Sequence, residues 1–147
     1  MSKKIKKNSD YISIKESRAI MKYNIAQMKY YESLKNRKLD IKDYTSVMKN
    51  PDNIVEIEGL TTCFFTANGT VMSVNGVSFD IPKNKIVGVV GESGCGKSVT
   101  SLSIMQLVQS PQGQVIGGEI RFNSEELGVD ENGNKIPNNF YVQTGYE

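Results

Sequence analysis

The chain has 147 residues, 38% of them hydrophobic and 23% charged, a texture that fits a folded domain and excludes a fibrous or wholly disordered polymer. It holds no histidine, which removes the usual neutral-pH acid–base group, and only two cysteines, too few for a disulfide framework or a metal cluster. The net charge of +2 hides an asymmetry: residues 1–50 carry 13 Lys/Arg against 5 Asp/Glu, and residues 51–147 carry 5 against 11, which suggests two units with different jobs.

The first ten residues, MSKKIKKNSD, read as a basic tail. No apolar signal-peptide core follows them, and no stretch approaches the roughly 20 apolar residues of a membrane span, so a reduced cytoplasmic setting is expected. From Tyr11 to about Lys49 there is neither glycine nor proline, and the composition predicts helix. Ile14, Met21, Ile25 and Met28 fall at helical spacing and share one face, with Ser9 or Asp10 as the expected N-cap. Asn50-Pro51-Asp52 breaks the pattern. Residues 1–50 are thus read as a basic helical extension and residues 53–147 as the main domain.

Ile54–Phe65 reads as a strand, Asn68-Gly69 as a hairpin turn, and Thr70–Val74 and Val77–Ile81 as further strand segments. After a turn at Pro82-Lys83-Asn84, the run Ile86–Val90 is apolar on both faces, as a central parallel strand covered on both sides would be. Lys97 to about Val108 has helical texture, with Leu102, Ile104, Met105 and Leu107 as its apolar members. Gly113, Gly117 and Gly118 predict a loop before a strand Glu119–Phe122. Asn132-Gly133 suggests another hairpin, and Phe140–Val142 a last short strand.

Between the apolar run and the second helix lies GESGCGKS, residues 91–98. It fits G-x-x-x-x-G-K-[ST] in the strand–loop–helix setting that this phosphate-binding pattern requires. Gly91, Gly94 and Gly96 permit backbone angles closed to other residues and clear side chains from the concave face. The N–H groups of Gly94, Cys95, Gly96, Lys97 and Ser98 can then converge on phosphate oxygens, aided by the helix N-terminus, with Ser93 and Val99 flanking them in the cofactor-binding set. Lys97 supplies a mobile charge for the β- and γ-phosphates, and Ser98 a hydroxyl oxygen for Mg²⁺. The expected ligand is Mg-ATP. Cys95 reads as a small space-filling loop residue that could also serve as a redox switch, and Cys63 as a strand residue. Another P-loop NTPase, such as a kinase or GTPase, is the alternative enzyme class.

Residues from Asn53 to about Asn123 resemble the start of an ATP-binding-cassette (ABC) ATPase domain, and most closely the ATPase subunits of oligopeptide, dipeptide and nickel importers. The resembling stretches are EIEGL (56–60), Phe64–Gly69, SVNGVSFDIP (73–82), VGVVGESGCGKSVTSLSIM (87–105) and IGGEIRFN (116–123). The resemblance implies an α/β P-loop fold with an antiparallel β-subdomain, preceded here by the helical extension, and transmembrane permease subunits and a second ATP-binding subunit as partners. A substrate-binding protein would be an indirect partner, the location would be the inner face of the plasma membrane, and no nucleic acid would be involved. It also implies that Phe64 stacks on adenine, with Phe65 as the neighbouring candidate. The family's signature sequence, Walker B strand and switch histidine lie further downstream and are not among these 147 residues. The chain is therefore expected to be a truncated cassette, the N-terminal portion of a longer ATPase, with little turnover alone; a non-catalytic or regulatory remnant is the rival reading. Phe140-Tyr141-Val142-Gln143 faintly resembles the family's metal-sensing glutamine segment, but an edge strand fits better. The extension can be read as contact with an anionic membrane surface, docking on a permease or the ATPase body, or a solvated helix with one face packed on the domain; its interleaved tyrosines, Tyr11, Tyr23, Tyr30, Tyr31 and Tyr44, also permit nucleic-acid contact, which no recognisable module supports.

Overall fold

The computed structural model describes residues 12–35, 46–123, 132 and 139–143. In chain order its elements are α1 (Ile14–Lys35), β1 (Asn53–Thr66), β2 (Gly69–Pro82), α2 (Lys97–Ile104), β3 (Gly113–Asn123) and β4 (Asn139–Gln143). The strands form one sheet in the order β2-β1-β3-β4, and every pairing is antiparallel. β1 and β2 make a long hairpin over a two-residue turn at Ala67-Asn68, one position earlier than the Asn68-Gly69 expected, and Thr66 Oγ1 closes it by donating to the Gly69 carbonyl at 2.7 Å. The two segments expected after that turn are a single strand.

Alternation along β1 sends successive side chains to opposite faces. Val55 and Ile57 and, past a bulge, Leu60 point to one face. They form a buried cluster with Val74 and Ile120, against which Val99 and Ile104 of α2 pack. The bulge lies where the β1 register slips between Ile57 and Leu60 against β2, and between Glu58 and Thr61 against β3. Its freed polar groups are answered locally: Gly59 N donates to Ser78 Oγ at 2.8 Å, and Gly76 N to Thr61 Oγ1 at 3.1 Å. Gly118, expected in a loop, is instead inside β3 with φ 94°, and a Cβ there would lie 2.5 Å from the carbonyl carbon of Gly59. The glycines of 113–118 serve close strand contact, so β3 begins six residues before the expected Glu119.

Three other expectations give way. Ile86–Val90 is not a strand; its backbone has no pairing partner among the described residues, and Ile86 and Val90 are 100% and 91% exposed. A parallel strand is made by its neighbours, and the antiparallel sheet offers none beside it. The second helix stops at Ile104 instead of about Val108. Gln106 adopts φ 57°, with Gln106 N donating to Ser103 O and Leu107 N to Leu102 O, the pair of bonds of a Schellman stop. Leu102, Met105 and Leu107 consequently stay exposed, and only Ile104 of the expected apolar members reaches the core.

The third concerns α1. Its cap is Ser13, which forms a reciprocal box with Glu16: Ser13 N donates to Glu16 Oε2 at 2.9 Å and Glu16 N to Ser13 Oγ at 3.2 Å. Ser9 and Asp10 lie outside the described residues, as do 36–45 and Gly133 of the expected second hairpin; residues 46–50 are not helical. Ile14, Met21 and Ile25 are not the docked face, being 70%, 60% and 43% exposed, whereas Met28, the fourth residue of that expected face, is half-buried. The docked face is largely polar. Asn24 donates to Thr66 O at 2.7 Å, the Tyr31 ring stacks on Phe65, and Glu32 accepts from Gln114 and Ser110. The Ser110 hydroxyl, the Gln114 amide and Lys35 hold the Glu32 carboxyl down at about 2.

α1 thus lies on the sheet face opposite α2. The same face carries the segment joining the extension to β1. Glu56, 3% exposed, accepts from the N–H groups of Lys49 (2.9 Å) and Asn50 (2.7 Å) and from Asn53 Nδ2 (3.2 Å). Arg121 lies across the strand pair from it, 3.8 Å away, and also pairs with Glu58 and Glu119. The boundary at Asn50-Pro51-Asp52 is therefore a clamped corner. Burial pushes the Glu56 carboxyl up, but these donors and Arg121 outweigh it and leave it below the usual carboxylate range. A group lowered on folding stabilises fully above its unfolded pKa, about 4.3, and stops doing so as pH falls through the folded value. Glu56→Gln is expected to lower stability at pH 7 by about 2 kcal/mol and to narrow the difference between pH 7 and pH 3, as read by urea unfolding at the two pH values.

Candidate functional site

The loop 91–98 lies on the α2 face, and glycine makes its seat. Gly96, at φ 94°, is the residue before α2, and a Cβ there would stand 2.4 Å from the carbonyl oxygen of Ser73 in β2. Only glycine allows that approach, so the second fixed glycine of the motif presses the loop onto the sheet. Gly94, at φ 82°, turns the chain with open space around its absent side chain, and a Cβ on Gly91 would meet Cys95 Sγ at 2.7 Å. Gly91, Glu92, Ser93, Gly94 and Cys95 are all exposed.

Beyond Gly96 the chain enters α2 at once. Thr100 N donates to Gly96 O at 2.8 Å, closing the first turn, so the N–H groups of Lys97, Ser98 and Val99 precede any helical acceptor. They face the loop with the positive end of the helix dipole behind them. Ser98 is exposed, whereas the Val99 side chain turns inward to the core. Lys97 folds back over the loop: its Nζ donates to the carbonyls of Gly91 at 2.8 Å and Glu92 at 2.6 Å, and lies 3.7 Å from Cys95 Sγ. The ammonium thus sits across the mouth of the loop, and the cleared glycine positions, the free first-turn donors and the Ser98 hydroxyl are the groups a phosphate chain and its hard cation need. The structure therefore brings together Gly91, Ser93, Gly94, Cys95, Gly96, Lys97, Ser98 and Val99.

Phe64 is half-buried on β1, opposite Gly113, and a Cβ on Gly113 would be 2.7 Å from its ring and 2.6 Å from Val108. Strand alternation puts Phe64 on the face of Thr62, which holds α2. Phe65 is buried on the other face beneath Tyr31 and is unavailable to a base. Two contributors were not foreseen. Ser73 supplies the carbonyl on which Gly96 rests. Thr62 and Ser103, each 0% exposed, share a 2.7 Å hydroxyl hydrogen bond that fixes α2 on β1. A serine between apolar Val99 and Ile104 on one side of a short helix is the signal that could have found the second.

Both cysteines are free, Cys63 buried and Cys95 exposed. Burial pushes the Cys63 thiol up, so the thiolate that reacts with alkylating agents is suppressed as well as covered. Iodoacetamide is expected to modify Cys95 alone in the folded chain, and Mg-ATP to slow that modification severalfold; peptide mapping by mass spectrometry reads both.

The family model described as ABC transporter matches residues 74–139. The oligopeptide transport ATP-binding protein AppD of Bacillus subtilis (strain 168) is 46% identical over 74 residues, covering 50% of this chain and 23% of AppD. The dipeptide transport ATP-binding protein DppD of the same organism is 45% identical over 76 residues, 52% of this chain and 23% of DppD. DppD of Escherichia coli (strain K12) is 35% identical over 74 residues, 50% of this chain and 22% of that protein. The chain therefore spans less than a quarter of the length of these relatives. The matched residues 74–139 hold the whole phosphate loop and α2, and the chain is similar over about half its length to oligopeptide and dipeptide transport ATP-binding proteins.

Proposed function

We propose that this chain is the nucleotide-binding part of an ATP-binding subunit that powers oligopeptide or dipeptide import. The observation that carries the reading is the loop Gly91–Ser98, seated on Ser73 and leading directly into α2 with Lys97 across its mouth. In this reading the N–H groups from Gly94 to Val99 receive the β- and γ-phosphates, Lys97 Nζ leaves the Gly91 and Glu92 carbonyls for phosphate oxygens, and Ser98 holds Mg²⁺. Phe64 offers its ring to adenine. A bound Mg²⁺ would neutralise phosphate charge, and everything else at the phosphates is positioning by this chain's own backbone and lysine.

The matched relatives are named as transport ATP-binding proteins, which supports a second ATP-binding subunit and transmembrane permease subunits as partners, a substrate-binding protein acting through the permease, and a station on the inner face of the membrane. Residues 53–147 then form part of an ABC-type ATP-binding domain and residues 1–50 an extension to it. No helix among the described residues is long and apolar enough to cross a membrane, so attachment in this reading goes through partners or the surface.

Titration with a fluorescent ATP analogue and Mg²⁺ tests the assignment. Lys97→Ala is expected to weaken binding at least tenfold with an unchanged circular dichroism spectrum. Phe64→Ala is expected to weaken it about fivefold to tenfold, the worth of one stacked base, and to affect ATP and ADP alike. Parent-like binding by Lys97→Ala would overturn the role of the lysine, and no saturable binding by the parent chain would overturn the function.

A further inference from the structure

The outward face of α1 has a composition that neither the fold nor the nucleotide site uses. Lys15, Arg18, Lys22 and Lys29 follow one another at spacings of three, four and seven along the helix, which aligns them in one row. All four are exposed, and none forms an ion pair among the described residues. Ile14, Met21 and Ile25 form a parallel apolar row on one side of them, and Tyr23 and Tyr30 a row on the other; these residues are 70%, 60%, 43%, 57% and 48% exposed. Both acidic residues of α1 are otherwise engaged, Glu16 in the N-cap and Glu32 with Ser110 and Gln114. The opposite side of the helix is the one docked on the sheet through Asn24 and Tyr31. The apolar row runs along the flank between the cations and the docked side, in line with Glu32, and the exposure of Ile14, Met21 and Ile25 shows that packing on the body does not account for it.

We infer that the outward face of α1 binds an anionic lipid surface, with the helix lying in the plane of the interface. The occupant follows from complementarity. A row of cations suits phosphate head groups, isoleucine and methionine beside it can enter the acyl boundary, and tyrosine rings favour the head-group level. A nucleic acid would use the cations but leave the exposed aliphatic row in water. This inference does not rest on the nucleotide-binding reading, since α1 and the phosphate loop occupy opposite faces of the sheet.

Flotation of the full 147-residue chain with phosphatidylglycerol-containing vesicles, against pure phosphatidylcholine vesicles, tests it. The chain is expected to float with the anionic vesicles only, and added salt to weaken the association. A variant with Lys15→Gln, Arg18→Gln, Lys22→Gln and Lys29→Gln is expected to bind at least a hundredfold more weakly, at about fivefold per charge removed. A second, Ile14→Ser with Met21→Ser and Ile25→Ser, leaves the charges in place and is expected to bind at least tenfold more weakly. All seven positions are exposed, and an unchanged circular dichroism spectrum of both variants would exclude unfolding. Absence of flotation by the parent would overturn the proposal, as would flotation that survives both variants. So would capture of a single-stranded oligonucleotide, lost on charge removal alone, in place of vesicle binding.

Discussion

β1 is the element on which β2, β3 and both described helices depend. Its fourteen residues hydrogen-bond β2 along one edge and β3 along the other, while its side chains alternate between two tasks. Val55, Ile57, Leu60 and Thr62 hold α2 and, through it, the phosphate loop. Glu56, Cys63 and Phe65 meet the connecting segment and α1 on the far side. Because strand periodicity is two, a one-residue slip would exchange these sets and leave neither helix a surface to sit on. The bulge at Gly59, matched by Gly118 across the strand pair, lets β1 change its register part-way without losing that alternation.

The two faces are held by different forces. The α2 face is closed by aliphatic burial around Leu60, with one hydroxyl pair, Thr62 and Ser103, inside it. The α1 face is held by directed polar contacts: the Asn24 amide on a strand-end carbonyl, Glu32 within the hydroxyl and amides of the 110–114 segment, and Glu56 gathering the N–H groups of 49 and 50. Apolar burial tolerates small displacements, whereas a buried carboxylate with three N–H donors does not. α1 is therefore fixed in orientation as well as attached, and its outward face is presented in a defined direction.

Where a local rule sufficed, the sequence was legible. The turn into α2 could be read because its reasons are local, Gly94 turning the chain and Lys97 opening a helix, whereas the need for glycine at Gly96 comes from Ser73 in β2. The hairpin and the strand character of Ile54–Phe65 followed from β-branched alternation and a turn. What could not be read depended on distant partners. Gly113, Gly117 and Gly118 look like loop punctuation until Gly59 and Phe64 are placed against them. Ile86–Val90 looks like a buried strand because apolar runs usually find neighbours, and the antiparallel sheet gives it none. Ile14, Met21 and Ile25 obey helical periodicity, but periodicity says only that a face is apolar, not what it is turned toward. The Asn24 side of α1, with no apolar signature, was invisible for that reason.

The resting position of the Lys97 ammonium bears on ligand choice. With its protons already given to two loop carbonyls, the cation is spoken for before any anion arrives. An incoming ligand competes with the loop's own oxygens, and a singly charged or solitary phosphate gains little from the exchange. The resting lysine thus sets what an entering anion has to displace, two carbonyl bonds on a single ammonium.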